Sequence, residues 1–204
     1  METLDELAAL SLKESPDREK RLNQIRDLTR LGMEGKLSFS ESLGRRIELL
    51  QAHINHLEKL VEHIEDKITP SILRNRWFFR ANRGRVFVIS NGFKEVITPV
   101  ARLLHIAEEN IFANTFIFDR HGVISGADRT NILTGEGGKA AQIRLLGLKG
   151  VIYAIGDGYT DYQLKEAGLV SAFFAFTENV ERISVIEKAD YVVKCFDDFL
   201  TLAG

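Results

Sequence analysis

From Val86 onward, short apolar runs alternate with amphipathic helical stretches, a pattern that restricts the chain to a mostly parallel sheet flanked by helices. Val86-Phe87-Val88-Ile89, Val151-Ile152-Tyr153-Ala154-Ile155, Val170 to Phe176 and Tyr191-Val192-Val193 are rich in β-branched and aromatic residues and read as strands. Val96, Val100, Leu103 and Leu104 recur at helical spacing, and Gly137 to Leu146 and Leu164 to Ala167 read as further helices. Asn114 to Phe118 and Val123 to Gly126 flank Asp119-Arg120-His121-Gly122, which reads as a hairpin. Sheets of this kind bind ligands outside the carboxyl ends of their strands, so the residues following each run are where chemistry is expected.

Before about residue 80 the chain reads as helix. Leu4, Leu7, Ala8 and Leu10 open one amphipathic stripe, and Ser15-Pro16 reads as the start of the next, with Pro16 at the first helical position. Leu22, Ile25, Leu28 and Leu31 carry that helix to a turn bracketed by Gly32 and Gly35. Ser38-Phe39-Ser40-Glu41 is a capping-box pattern ahead of Leu43, Ile47 and Leu50. Ile54, Leu57, Leu60, Val61 and Ile64 form another stripe, Thr69-Pro70-Ser71 interrupts it, and Ile72, Leu73, Trp77 and Phe78 begin the last. The division expected is a helical region over 1–72 and an α/β region over 73–204.

The totals narrow the functional classes. With 45% hydrophobic residues the chain can bury a sizeable core. A net charge of −2 without clustered basic residues argues against a nucleic-acid partner. No apolar run approaches the ~20 residues that span a bilayer, and the first twenty residues are acidic and amphipathic rather than a signal sequence. Cys195 is the single cysteine, so no intrachain disulfide forms, and the cytoplasm is the expected location. Nothing in the sequence fixes the oligomeric state; a homodimer is compatible with it.

Three features lie where strands end. Ser90-Asn91-Gly92 offers a hydroxyl and backbone N–H groups to an anion, although many such turns are ordinary helix caps. Gly135-Glu136-Gly137-Gly138-Lys139 fails as a Walker loop, having Leu133 where glycine is needed and Ala140 where serine or threonine is needed. Taken alone it reads as a turn with a solvated lysine. Gly156-Asp157-Gly158-Tyr159-Thr160-Asp161 places two carboxylates at a strand-to-helix turn, a set of oxygen ligands that suits Mg²⁺ better than an ordinary Asp-Gly turn would require.

An apolar strand ending in serine, an isolated lysine and a strand ending in Gly-Asp-Gly-x-Thr-Asp, in that order, resemble the second, third and fourth motifs of the haloacid dehalogenase superfamily. Gly32-Met33-Glu34-Gly35-Lys36-Leu37-Ser38-Phe39, with Ser42-Leu43 and Arg45-Arg46, resembles the helical cap of its phosphoserine phosphatase branch. The resemblance implies an α/β fold, a Rossmann-like mostly parallel core with a helical cap, and a Mg²⁺-dependent phosphoric monoester hydrolase of serine biosynthesis. It implies that Ser90 and Lys139 hold phosphoryl oxygens with help from Asn91 and Gly92. Asp157 would ligate Mg²⁺, and Asp161 would orient Lys139, with Thr160 beside it. Met33, Phe39 and Arg46 would face the substrate from the cap; Arg46 suits a carboxylate, which it can grip with two N–H groups. Glu2 matches the acidic residue that meets the substrate amino group in relatives, so a small phosphorylated metabolite such as phosphoserine is the expected partner.

One departure matters. The family's first motif is a strand ending in Asp-x-Asp, whose first Asp is the nucleophile. It is expected just ahead of Glu2, so the resemblance implies that both catalytic carboxylates and the central sheet strand are missing from this sequence. Loss of that strand, which would lie between those ending at Ser90 and Asp157, should leave a gap of ~9.5 Å, two strand spacings. Phe116-Ile117-Phe118-Asp119 mimics the missing motif, but His121 stands in place of its second aspartate and the hairpin reading prevails. His53, His56 and His63 share a helix without an acidic or cysteine partner and read as a solvated face. Two alternatives follow: a non-catalytic domain that binds phosphate or a phosphorylated metabolite, alone or within a longer fusion, or another phosphomonoester substrate, suggested by the bulky Tyr159 and Tyr162.

Overall fold

In the computed structural model, which describes residues 3–203, four helices come first: α1 (Thr3–Ser11), α2 (Arg18–Met33), α3 (Phe39–Leu50) and α4 (Ile54–Glu62). Each turns its apolar stripe inward, so that Leu7, Leu12, Ile25 and Leu50 are fully buried in one cluster. Ser38 caps α3 by accepting from the Glu41 N–H at 3.2 Å, as its sequence pattern indicates. The start of α2 differs from expectation: Pro16 lies in a turn, and the helix begins at Arg18 after Asp17, whose carboxylate accepts from Ser15 and from Arg21.

Apolar packing changes partner between Ile64 and Ile68. Ile64 belongs to the first cluster, whereas Ile68, with α5 (Pro70–Arg74) and α6 (Arg76–Ala81), packs against the α/β region through Ile72, Leu73 and Phe79.

The parallel strands are β1 (Val88–Phe93), β2 (Ile111–Asn114), β5 (Tyr153–Gly156), β6 (Ala172–Phe176) and β7 (Tyr191–Val193). Helix α7 (Lys94–Leu103) joins β1 to β2, and α8 (Gly138–Leu146), α9 (Tyr159–Glu166), α10 (Ile183–Ile186) and α11 (Phe196–Ala203) complete the layers. Three boundaries correct the sequence reading. Ser90, Asn91 and Gly92 lie inside β1, across an irregular stretch of its pairing with β2, rather than beyond it. Asn114, expected to start the hairpin, instead ends a separate strand, Ile111–Asn114. The hairpin itself is β3 (Phe116–Phe118) and β4 (Ile124–Ala127).

The parallel sheet comes in two pieces, β2-β1 and β5-β6-β7. Successive residues of β1, Val88 and Ile89, pack into two different clusters; in β6, Phe174 and Phe173 alternate between the same two. Both pieces therefore lie in one layer between shared helices. Their inner edges, β1 and β5, are not hydrogen-bonded to each other, and among the described residues β1 pairs with no strand but β2 and β5 with none but β6. The sheet has not closed up. Tyr153 and Ile155 on one face of β5 are 45% and 37% exposed, where a central parallel strand would be covered.

The hairpin leaves the sheet and joins the helical region. Phe116 stacks on Phe93 with ring centroids 3.5 Å apart, and Ile124 enters the first cluster beside the helices. Backbone bonds from Ile54 N–H to Gly122 and from Ile124 N–H to Ala52 fasten its tip to the α3–α4 junction. His53 accepts the Asn55 N–H and its other ring nitrogen bonds the His121 carbonyl, while the His56 ring accepts the His53 N–H. These histidines are structural, and the described residues hold no group of three His, Cys, Asp or Glu fit for a metal. No helix among the described residues is long and apolar enough to cross a membrane.

Candidate active site

A cavity of about 630 Å³ opens at the carboxyl ends of β1 and β5 and is roofed by the helical region. Ser90, Asn91 and Gly92 line it from β1, Lys139 from α8, and Asp157, Thr160 and Asp161 from the turn after β5 and the start of α9; Met33, Phe39 and Arg46 line it from the helical region. Every site residue expected from the sequence is there except Glu2, which lies outside the described residues.

The Ser90 hydroxyl oxygen accepts the Gly92 N–H at 3.0 Å, which fixes the oxygen and leaves the hydroxyl proton for a ligand. The Asn91 carbonyl accepts from the Asn114 amide at 2.9 Å, holding this irregular stretch of β1 against β2. Asn91 Oδ1 is buried at the cavity wall without a protein partner among the described residues, an acceptor available to a bound group.

Lys139 is not solvated, contrary to the reading of its glycine-rich turn. It is the second residue of α8, its side chain is 11% exposed, and its Nζ donates to Asp161 Oδ1 at 2.6 Å. Asp161 also accepts the Gly158 N–H at 3.1 Å, so it closes the first turn of α9 while aiming the lysine. This doubling-back needs Gly156, because a Cβ there would collide with the Asp161 carboxylate. Lys139 also lines the cavity, where its charge can meet a bound anion.

Arg46 is 6% exposed. Its Nε donates to the Ser42 carbonyl and its Nη1 to the Thr29 hydroxyl, which donates to Asp5 at 2.8 Å. Burial pushes the Asp5 carboxyl above its usual range, against the Thr29 hydrogen bond and the charges of Arg46 and Arg26, which pull it down. Met33 lies over the metal-type turn: a Cβ at Gly158 would sit 3.3 Å from its sulfur.

The family model described as haloacid dehalogenase-like hydrolase matches residues 3–166. The chain belongs to the haloacid dehalogenase-like hydrolases. Phosphoserine phosphatase of Homo sapiens is 31% identical over 206 residues, covering 100% of this chain and 86% of the relative. The chloroplastic phosphoserine phosphatase of Arabidopsis thaliana is 31% identical over 86% of this chain, which spans 61% of that relative's length. Among solved structures, a phosphoserine phosphohydrolase-like protein from Francisella tularensis superposes with a TM-score of 0.88 at 30% identity, covering 98% of this chain and 92% of the other. The mostly parallel α/β fold and the hydrolase class expected from the motifs both stand.

As in other haloacid dehalogenase-like hydrolases, the metal to test for here is Mg²⁺. The described carboxylates lining the cavity are Asp157 and Asp161, and Asp161 is committed to Lys139. Asp157 is 42% exposed and presents oxygen. One or two carboxylates completed by phosphate and water is an ordinary Mg²⁺ shell, so the donor set fits.

Sequence reasoning missed Asp5, Thr29 and Arg182. Arg182 donates to the Asp157 carboxylate and, at 3.2 Å, to its carbonyl. It follows a polar run directly after β6, a position that the strand-end rule flags. Asp5 and Thr29 lie 24 residues apart on different helices, so no local pattern joins them.

The helical region touches the α/β region at a second place. Gly35 has φ +71, and a Cβ there would stand 2.9 Å from the Tyr159 ring. Gly35→Ala is expected to destabilise by roughly 1–2 kcal/mol through strain and this clash. Urea unfolding of a double-mutant cycle with Tyr159→Ala should return the part due to the clash; strictly additive losses would show that strain alone is responsible.

Proposed function

We propose that the chain forms the phosphoserine-binding and Mg²⁺-binding frame of a phosphomonoesterase. The observation that carries this reading is the convergence of Ser90, Lys139 and Asp157 on one cavity that the buried Arg46 also lines, from the helical region. The first three suit a phosphate and its metal; the last suits a carboxylate at the other end of a small molecule. The names of the relatives support phosphoserine as the molecule.

In this reading the Ser90 hydroxyl and Lys139 Nζ each donate to a phosphoryl oxygen, and Asp161 keeps the lysine aimed through substrate arrival. Arg46 grips the substrate carboxylate and Glu2 meets its amino group. Asp157 holds Mg²⁺, which when bound draws charge from the phosphoryl oxygens. The attacking group is an aspartate that would take up the phosphoryl group. Asp157 and Asp161, the described carboxylates of the cavity, are engaged by Arg182 and Lys139. We assign the attack to a carboxylate on an extended segment seated between β1 and β5, parallel to both, whose end would then meet the cavity. The cytoplasm suits such a metabolic enzyme.

The same engagement of both carboxylates favours a second reading, in which the chain binds a phosphorylated metabolite without turnover. Calorimetry with L-phosphoserine and Mg²⁺, paired with a phosphate-release assay, separates the two. Binding without release by the chain, and release once an apolar strand ending in Asp-x-Asp is fused ahead of Glu2, is the expected result. Binding with no release from either form would favour the second reading. No binding by either form would sink both.

A further inference from the structure

We infer that Arg182 is a built-in competitor for the metal carboxylate, so that Mg²⁺ binds only as the loop carrying Arg182 lets Asp157 go. The inference rests on Asp157 being the metal ligand.

Arg182 sits at the end of residues 177–182, between β6 and α10, and is 13% exposed while Asp157 is 42% exposed. One guanidinium nitrogen donates to both the carboxylate and the carbonyl of Asp157. That grip takes one carboxylate oxygen, Oδ2, and the carbonyl oxygen of Asp157. A lysine or histidine could yield by losing its proton, but a guanidinium keeps its charge at any physiological pH. A cation on Asp157 and a guanidinium a few ångströms away repel each other, so each weakens the other's hold on the carboxylate.

The loop connects the metal carboxylate to the helical region. Asn179 donates to the Thr69 hydroxyl at 2.8 Å, and Glu178 accepts the Ser71 N–H at 3.1 Å and bonds the Ser71 hydroxyl. Thr69 and Ser71 begin α5, the link out of the helical region, and Ser71 is fully buried. Asn179 and Val180 line the cavity itself. Parting Arg182 from Asp157 therefore disturbs a segment that also borders the substrate space, where a phosphate dianion would attract the guanidinium.

The test is calorimetric titration of Mg²⁺ alone, without substrate. Arg182→Gln, which keeps a hydrogen-bonding amide but removes the charge, is expected to bind Mg²⁺ about tenfold tighter than the unaltered chain, a size usual for coupled equilibria. Arg182→Lys should remain weak. In the unaltered chain, which needs no variant to fold, Mg²⁺ should speed hydrogen exchange of the 177–182 amides. Equal or weaker binding by Arg182→Gln, or exchange that Mg²⁺ leaves unchanged, overturns the inference. If Asp157→Asn leaves Mg²⁺ binding intact, it is the assignment of the metal ligand that fails instead.

Discussion

Arg46→Ala should lower the affinity for L-phosphoserine by about 100-fold or more, roughly 3 kcal/mol, the scale of truncating one partner of a desolvated charge pair. Affinity for phosphoethanolamine, which lacks the carboxylate, should change little. The contrast follows from where the guanidinium is: buried, lining the cavity from the helical region, with its Nη1 on Thr29 and its charge felt by Asp5. Arg46→Lys keeps the charge but loses the planar two-point grip, and should fall between. Calorimetry with both ligands decides the matter; equal losses would mean that Arg46 supports the helices and does not select the substrate. The same truncation removes a charge that holds the Asp5 carboxyl down, so the Asp5 pKa should rise further, which titration by NMR would report.

Lys139→Met should abolish measurable phosphate binding and also cost about 3 kcal/mol of stability, because it leaves the buried Asp161 charge without its partner. Asp161 is 15% exposed, and its other bond, to Gly158 N–H, cannot neutralise it. A second change, Asp161→Asn, should recover most of the stability and none of the phosphate affinity. Urea unfolding measures the first quantity and calorimetry with inorganic phosphate the second. Recovery of both together would show that the pair is structural.

The two predictions draw on residues that were unequally visible in the sequence. Asp157 and Asp161 could be placed because glycines around an aspartate after a β-branched run dictate a strand-to-helix turn, and that turn fixes both carboxylates locally. Lys139 could not be read as buried: its surroundings are glycines, and the cause of its burial is a carboxylate 22 residues later. β2 was missed because Ile111–Asn114 is four residues long and is separated from Phe116 by one residue, so two strands running to different partners look like one. The helices were legible from their stripes, yet the Asp5–Thr29–Arg46 chain crosses three of them and leaves no periodic trace. The open edges of β1 and β5 followed from the family pattern and from nothing in the composition, since the exposed Tyr153 and Ile155 look like any buried strand.

The β3–β4 hairpin ties the two halves of the molecule together. It belongs by sequence to the α/β half but is bonded at its tip to Ala52 and Ile54, directly after the helix that carries Phe39 and Arg46. The same roof meets the α/β half at Gly35 against Tyr159, at the Ser40 N–H on Glu136 and at Met33 over Gly158. A change at the hairpin tip is therefore felt at the end of the helix that presents Arg46 to the cavity.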